Sequence, residues 1–213
     1  NNVFGTLNLL ETMERFKVSK IIFSSTCAVY GNAKYFPVDE KHETSPQSPY
    51  GESKLMAEKL ISWYGNLKNF RYVIFRYFNV CGALGDGSIG DSKKPSAPLV
   101  QNVVRGALEI EPFHATYASV KTPDKSPIRD FLNVLDLADA HHLALKYLKS
   151  GGKSEIINLG TGKGYSVLEI IKAVQEKTGV KFKIEKAKSR EGEVPKMIAS
   201  SKKAKRILGW KPK

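Results

Sequence analysis

A short apolar strand, a long helix and a second apolar strand follow one another early in the chain, and this order constrains the fold most. Lys20 to Ser25 has the apolar character of a buried strand, a helical pattern runs from Tyr50 to Leu67, and Tyr72 to Arg76 is again apolar. Two strands joined by a crossover helix form a parallel unit with a right-handed connection. The sequence therefore predicts an α/β protein with a parallel sheet.

The remainder of the chain continues as helices and strands up to about Phe78 and then becomes more mixed. Helical spacing predicts helices at Asn2–Phe16, Leu99–Glu109, Leu135–Lys149, Ser166–Thr178 and Ser200–Leu208, and strands at Glu155–Leu159 and Lys181–Ile184. Ala33–Pro49 and Tyr77–Ala97 are rich in Gly or Pro and are predicted loops, and Phe113–Val134 mixes short extended pieces with turns.

Composition limits the class of protein. The 213 residues are 41% hydrophobic and 26% charged, which is typical of a globular protein. No apolar run reaches the length of about 18 residues needed to cross a membrane, and no signal-peptide pattern opens the chain. Only two cysteines, Cys27 and Cys81, favour a reducing compartment over a disulfide scaffold. We therefore expect a cytoplasmic protein that does not bind membranes.

The net charge of +13 raises the question of a nucleic-acid partner. The lysines are spread along the chain, densest at 181–188 and 202–213, without the basic stripe interleaved with aromatic residues that such binding uses. The positive charge is also expected for a solvated surface or for an enzyme with a phosphate-bearing substrate. It would also arise if these residues are part of a longer protein whose acidic portion lies elsewhere. We predict no nucleic-acid binding.

Tyr50 and Lys54 form the first candidate pair for catalysis. Four residues apart in a helix, they lie on one face, one turn apart. An amine held ~4 Å from a phenol at an effective dielectric of ~20 favours the phenolate by about 4 kcal/mol, or roughly three pKa units. Such a tyrosine could exchange a proton near neutral pH. The same spacing is also common in purely structural helices.

Small hydroxyl side chains end the first predicted strand. Ser24, Ser25 and Thr26 stand at its carboxyl end, where open parallel sheets bind their ligands. No Gly-x-Ser-x-Gly sequence accompanies them, which disfavours a hydrolase.

Gly160–Gly164 follows a strand and precedes a helix, but its Gly-x-Gly-x-Gly spacing lacks the later glycine of a dinucleotide loop. We therefore predict a structural turn there.

Histidines and arginines supply the remaining candidates. His42, His114, His141 and His142 show no metal-ligand spacing, so no metal site is predicted. Arg129 and Arg190 each stand beside carboxylates in loop-like stretches. A local ion pair and a clamp on a diphosphate are both open for these arginines.

Several ordered motifs together resemble those of the extended short-chain dehydrogenase/reductase family. They are Asn2–Leu7, Phe23–Thr26, Val29–Gly31, Pro46–Lys54, Arg76–Asn79 with Gly82–Ala83, Arg129–Phe131 with Asp136–His141, Asn158–Gly162, and Arg190–Glu193. The resemblance implies an NAD-binding Rossmann fold, a doubly wound parallel sheet, of which residues 1–78 form the carboxyl-terminal part. Residues 79–213 are then mainly a smaller mixed α/β substrate domain, with about 127–149 returning to the Rossmann part. Family members begin with a Gly-rich loop for NAD's pyrophosphate, absent before Asn2, so we expect the later part of a longer protein.

The resemblance also implies roles for individual residues. Tyr50 is the catalytic base, Lys54 lowers its pKa and binds the nicotinamide ribose, and Thr26 binds the sugar's 4-hydroxyl. The predicted cofactor contacts are Ser24, Ser25, Tyr50, Lys54, Tyr77, Phe78 and Val80. The predicted substrate contacts are Asn2, Thr26, Asn79, Arg129, Arg190, Glu193 and Met197, with Met197 at a gate that admits or excludes N-acetyl groups.

The implied reaction is NAD-dependent inversion at C4 that interconverts UDP-glucose and UDP-galactose through a transient 4-keto sugar. Cys27 and Ala28 follow Thr26 where related dehydratases carry an acid and a base, so dehydration is disfavoured. Two alternatives stay open. One is a 4-epimerase of UDP-N-acetylglucosamine or of a UDP-uronate, and the other is a catalytically inactive module that binds UDP-sugars. The resemblance further implies a homodimer at full length.

Overall fold

The computed structural model describes residues 1–93, 98–110, 115–181, 184–187 and 194–213. The helices are α1 (Asn2–Arg15), α2 (Pro49–Lys68), α3 (Leu99–Ala107), α4 (Val134–Lys149), α5 (Val167–Thr178) and α6 (Lys202–Leu208). The strands are β1 (Lys20–Thr26), β2 (Arg71–Tyr77), β3 (Asn79–Cys81), β4 (Ala115–Ala118), β5 (Ile128–Arg129), β6 (Phe131–Asn133), β7 (Glu155–Leu159), β8 (Tyr165–Ser166), β9 (Ile184–Ala187) and β10 (Lys196–Met197).

A parallel sheet of order β1-β2-β7 organises the fold. Its register pairs Thr26 with Tyr77 and Tyr77 with Leu159, so three strands end together at one edge. The helix α2 connects β1 to β2, which confirms the predicted parallel strand–helix–strand unit.

Local signals at both ends fix α2. The Ser48 side chain caps the helix by accepting a hydrogen bond from the Gly51 backbone N–H at 3.1 Å, and Pro49 occupies the first turn. At the other end Asn69 adopts the left-handed conformation with φ 57°. The start of the helix lies close to the chain after β1, because a Cβ atom on Gly51 would come within 2.7 Å of the Ala28 carbonyl oxygen. Glycine therefore allows Tyr50 to approach the end of β1.

Apolar clusters cover both faces of the sheet. One joins α4 and α6 to β2 and β7, and its buried members are Val73, Phe75, Leu132, Ala140, Ala144, Leu148, Ile157, Leu159, Ala204, Leu208 and Trp210. The other joins α1 and α2 to β1 and β2 through Leu10, Met13, Ile21, Ile61, Phe70 and Ile74. Burial of this many aliphatic and aromatic side chains holds the sheet between two helical layers.

Smaller sheets lie beyond the strand ends. The strand β5 pairs in parallel with β10 and antiparallel with β8, β3 pairs with β6, and β4 pairs with β9. The strand β3 lies within the predicted loop Tyr77–Ala97, and that prediction is wrong for these three residues, because pairing with a distant strand stabilises them. The last predicted strand, Lys181–Ile184, is displaced: the described strand is Ile184–Ala187, and residues 182–183 lie outside the described part. In the described part of the chain, no helix is long and apolar enough to span a bilayer.

Candidate active site

Thr26 and Tyr50 meet at the carboxyl edge of the parallel sheet. Thr26 ends β1, is 8% exposed, and accepts a hydrogen bond from the Ala28 backbone N–H at 3.2 Å. Tyr50 extends from the first turn of α2, is 50% exposed, and has the Thr26 side chain as a neighbour that acts to lower its pKa. A half-exposed phenol beside a nearly buried hydroxyl can contact a ligand and exchange a proton within one site.

Lys54 lies one turn further along α2. Its Nζ donates a hydrogen bond to the Ser24 carbonyl oxygen at 2.8 Å and lies 4.7 Å from the centre of the Phe23 ring. Burial lowers the pKa of Lys54, and the charge of Glu58 opposes that shift. The amine is therefore fixed against β1 by a backbone acceptor.

The pKa of Tyr50 is raised, opposite to the predicted direction. Burial is the main cause, followed by the neighbouring Tyr77, while the Thr26 side chain acts in the other direction. Lys54 is not among the causes, since its amine donates to the Ser24 carbonyl, and its effect on the Tyr50 pKa stays a prediction. The phenol is thus the protonated form at neutral pH.

Ser24 and Ser25 point to different partners, as neighbours in a strand do. The Ser24 Oγ lies 3.4 Å from Nε2 of His141, whose Nδ1 lies 2.9 Å from the Leu137 carbonyl oxygen. A carbonyl can only accept, so Nδ1 donates and Nε2 accepts from Ser24 in the neutral ring. Ser25 is fully buried and donates to the Glu58 carboxylate. A cofactor contact by Ser25 would therefore involve its backbone.

A buried ion pair that the sequence analysis missed lies behind the site. Arg76 Nη2 lies 2.6 Å from Glu58 Oε2, and both side chains are at most 6% exposed. The guanidinium also covers the ring of Tyr30 at 4.9 Å, and the Tyr30 hydroxyl donates to Asn158 Oδ1 at 2.7 Å. Burial raises the pKa of Tyr30 to about 12 despite the nearby Arg76 charge. Two sequence signals could have revealed this ion pair: the acidic Glu58 four positions after Lys54, and the arginine Arg76 within an apolar strand.

The segment after β2 supplies further predicted contacts. Tyr77 is partly buried and Phe78 is 4% exposed, whereas Asn79 is exposed and Val80 is partly buried. The Phe78 N–H donates to the Leu159 carbonyl at 3.1 Å, and the Asn79 N–H donates to the Asp130 carbonyl at 3.0 Å. Phe78 packs in one cluster with Met197. The predicted cofactor segment and the predicted gate are therefore neighbours.

Asn2 joins the site through the helix that carries Tyr50. Its Nδ2 donates to Ser53 Oγ at 2.9 Å, and Ser53 Oγ donates to the Tyr50 carbonyl at 2.8 Å. This chain of bonds connects the start of α1 to the first turn of α2. Asn2 thus lies near the site, although its amide is already engaged within the protein.

Arg129 and Asp130 lie close to the thiol that follows Thr26. Burial raises the pKa of Cys27 to about 12, with the Arg129 charge acting to lower it and the Asp130 charge to raise it. Arg129 Nη1 donates to the Ile128 carbonyl at 3.0 Å. Asp130 is fully buried and binds the Gly160–Gly162 turn. The predicted structural role of that turn is confirmed, since its amides bind the protein's own carboxylate.

The remaining predicted residues divide into two groups. Met197 is described and is 4% exposed. Arg190 and Glu193 lie outside the described residues. Among the residues that are described, no group of three or more histidine, cysteine, aspartate and glutamate side chains is suited to hold a metal ion.

The residues present fit a nicotinamide cofactor at this edge. An ammonium group carries three N–H donors, and one of those of Lys54 goes to Ser24, which leaves donors suited to a ribose. Lys54 would hold the ribose, and the partly buried Tyr77 and Val80 with Phe78 would border the ring. A cofactor held by these residues would agree with the rule that open parallel sheets bind ligands beyond their carboxyl ends.

Thr26, Tyr50 and Lys54 thus lie together in a parallel α/β fold, at the sheet edge where such folds bind their ligands, and sequence comparison identifies the family. The profile of the NAD dependent epimerase/dehydratase family matches residues 1–160, and the chain belongs to this family. It is 43% identical over 213 residues to the UDP-glucose 4-epimerase of Lacticaseibacillus casei, covering all of this chain and 64% of that protein.

Solved structures of UDP-glucose 4-epimerases resemble the fold of this chain closely. The UDP-glucose 4-epimerase of Brucella ovis in complex with NAD superposes with a TM-score of 0.94 at 36% identity, over 100% of this chain and 66% of that one. The enzyme of Bifidobacterium longum in complex with NAD+ and UDP gives 0.93 at 35% identity, over 100% and 64%. The chain thus spans about two thirds of the length of its relatives, with 64% of the Lacticaseibacillus casei protein covered.

Proposed function

We propose that this chain belongs to an NAD-dependent UDP-sugar 4-epimerase that interconverts UDP-glucose and UDP-galactose. The observation that carries the proposal is the placing of the Thr26 and Tyr50 side chains side by side at the carboxyl edge of the sheet, with Lys54 one turn further along α2. The names of its relatives support the same activity.

NAD held by Lys54 would supply the hydride acceptor for C4 of the sugar and, in its reduced form, the hydride donor for the opposite face. The Tyr50 oxygen takes the proton of the 4-hydroxyl and later gives it back to the 4-keto sugar. Thr26 holds the same oxygen of the sugar through its hydroxyl. Together these two groups move one proton between the phenol and O4.

Tyr50 must become more acidic before it can act as a base. Its raised pKa keeps the phenol protonated while Lys54 binds the Ser24 carbonyl. Bringing the ammonium to ~4 Å from the phenol would favour the phenolate by about 4 kcal/mol at an effective dielectric of ~20. A change of partner by Lys54, from Ser24 to the ribose and the phenol, would therefore activate the base.

The substrate side is formed by residues from several strands. Asn79 begins β3 and Arg129 ends β5, two short strands beyond the sheet edge, and Arg129 is close to Cys27 beside Thr26. We assign Arg129, with Arg190, to the diphosphate, Asn2 and Asn79 to the sugar, and Glu193 to the uridine ribose. Paired N–H groups of arginine match phosphate oxygens.

N-acetylated UDP-sugars form a second candidate substrate class. Met197 is buried and packs beside Phe78, where it would face the sugar. Methionine is flexible and intermediate in size, so it can make room for an acetamido group. We propose that the enzyme accepts both kinds of substrate.

We also propose that the full-length protein is a cytoplasmic homodimer. The helices α1 and α2 pack against each other yet expose large apolar side chains, namely Phe4 (76%), Leu9 (50%), Met56 (45%), Trp63 (60%) and Leu67 (70%). A second copy covering this face would remove apolar area from water.

The test uses the protein at the full length of its relatives. We expect UDP-glucose and UDP-galactose to interconvert in D2O without deuterium entering C4, because the same hydrogen leaves and returns. Deuterium at C4, or no conversion, would contradict the proposal. If conversion is absent but calorimetry shows clear UDP affinity without NAD, the chain is a binding module instead.

A further inference from the structure

Asp130 is a fully buried carboxylate that binds two other segments of the chain. Its Oδ1 accepts from the Thr161 backbone N–H at 2.8 Å and from the Thr161 hydroxyl at 2.6 Å. Its Oδ2 accepts from the Gly162 N–H at 2.9 Å and the Ala199 N–H at 3.1 Å. Four donors from two segments therefore converge on one side chain.

The space around this carboxylate is closed. A Cβ atom on Gly160 would come within 2.7 Å of Asp130 Oδ2 and 2.5 Å of the Ala199 Cβ. The turn after β7 therefore approaches the carboxylate as closely as a glycine permits.

The backbone of Asp130 connects the carboxylate to the proposed substrate contacts. Its N–H donates to the Met197 carbonyl at 3.1 Å, and its carbonyl accepts from the Asn79 N–H at 3.0 Å. Arg129 is the preceding residue and pairs with Met197 in the β5–β10 register. Arg129, Asn79 and Met197 thus come from three strands that meet at Asp130.

We propose that Asp130 is a positioning residue for substrate recognition: its carboxylate holds the turn and β10 in place, and this fixes Arg129 on the diphosphate. The inference rests on the proposed function. Asp130 does not itself contact the substrate, because its two oxygens are fully used within the protein.

The charge and the shape of the carboxylate are both needed. An aspartate offers acceptors at both oxygens, whereas an asparagine presents two N–H donors at one of them. In either orientation of the amide, Asp130→Asn would place N–H groups against two of the four donors. Leaving such buried donors unsatisfied shifts the segments that carry them.

The experiment compares UDP and uridine binding to the full-length, NAD-loaded protein. We expect Asp130→Asn to weaken UDP binding about tenfold or more while uridine binding changes little, because only UDP carries the diphosphate. The matched control is Asp124→Asn, since Asp124 binds a different turn by accepting from Ser126 and from Ser166. Equal losses for UDP and uridine, or a UDP loss no larger than in the control, would overturn the inference.

A double-mutant cycle tests whether Asp130 affects UDP binding through Arg129. In an Arg129→Ala background, Asp130→Asn should cost little further UDP affinity, whereas additive losses would show that Asp130 does not act through Arg129.

If Asp130→Asn fails to fold, Thr161→Val removes one donor and should weaken UDP binding relative to Thr161→Ser. Identical UDP binding of these two variants would overturn the inference. A parent protein that binds no UDP would instead overturn the proposed function itself.

Discussion

Glu58 and Arg76 form a buried ion pair one helical turn beyond Lys54, with Arg76 Nη2 2.6 Å from Glu58 Oε2. Arg76 Nε lies 3.1 Å from both oxygens of the carboxylate, and Ser25 donates to the same group. The pair therefore ties the helix that carries Tyr50 and Lys54 to the two strands that end at the site.

Removing one member of this pair should be strongly destabilising. Glu58→Gln leaves the Arg76 charge buried without its counter-ion, and we expect a loss of about 3–5 kcal/mol in the free energy of unfolding. Urea denaturation measures this. The control is Glu176→Gln in the exposed Lys172–Glu176 pair, which should change stability by about 0.5 kcal/mol or less. Similar losses in the two variants would contradict the structural role of the buried pair.

The close contact at Gly51 should be sensitive to a single methyl group. A Cβ there would lie 2.7 Å from the Ala28 carbonyl, so Gly51→Ala should displace the start of α2 and cost about 1–3 kcal/mol of stability, with lower activity. Gly5 lies inside α1 with nothing within 4 Å of the same position, and Gly5→Ala should stabilise by about 0.5–1 kcal/mol. Thermal unfolding and rate measurements on both variants check this, and a gain in stability for Gly51→Ala would contradict it.

The partly buried thiol of Cys27 should make stability depend on alkaline pH. Burial raises the pKa of Cys27 from an ordinary value of 9.0 to about 12. The unfolded chain therefore loses this proton first, so the contribution is complete below about pH 9 and is lost as pH rises toward 12. Denaturation at pH 8 and pH 11 should show a smaller loss of stability in Cys27→Ala than in the parent. An equal loss would show that the thiol does not titrate in this way.

The size of the side chain at position 197 should control substrate choice. Met197→Tyr fills the space beside Phe78, and we expect the ratio of kcat/KM for UDP-N-acetylglucosamine over UDP-glucose to fall about tenfold or more. Leu145→Tyr is the control, since Leu145 is 45% exposed on α4. Coupled assays with each substrate measure the ratio. An unchanged ratio would contradict the proposal that Met197 contacts the sugar.

The sequence predicted most of the framework because its signals are local. The helix from Tyr50 to Leu67 and the strand Glu155–Leu159 agree with α2 and β7 to within a residue or two. The strand β3 was missed because its three residues depend on pairing with Phe131–Asn133, about fifty positions away. Short strands that form only through distant partners carry no periodic pattern of their own.

The sequence brought candidate site residues together but did not predict their electrostatics. Spacing in a helix correctly placed Tyr50 and Lys54 on one face, yet the direction of the amine depends on the Ser24 carbonyl, which no sequence pattern reveals. Asp130 was noted only as a neighbour of Arg129, since its partners at Thr161 and Ala199 are brought together by the fold. Long-range polar contacts of this kind limit prediction from sequence.

The most direct test of the account is the effect of Tyr50→Phe on the full-length enzyme. We expect kcat to fall by roughly a hundredfold to ten-thousandfold, the usual range for loss of a general acid–base group, while UDP affinity stays close to that of the parent. The matched control is Tyr64→Phe, which removes a phenol from the same helix and should leave kcat unchanged. Normal epimerisation by Tyr50→Phe would contradict the central claim that this phenol transfers the proton at C4.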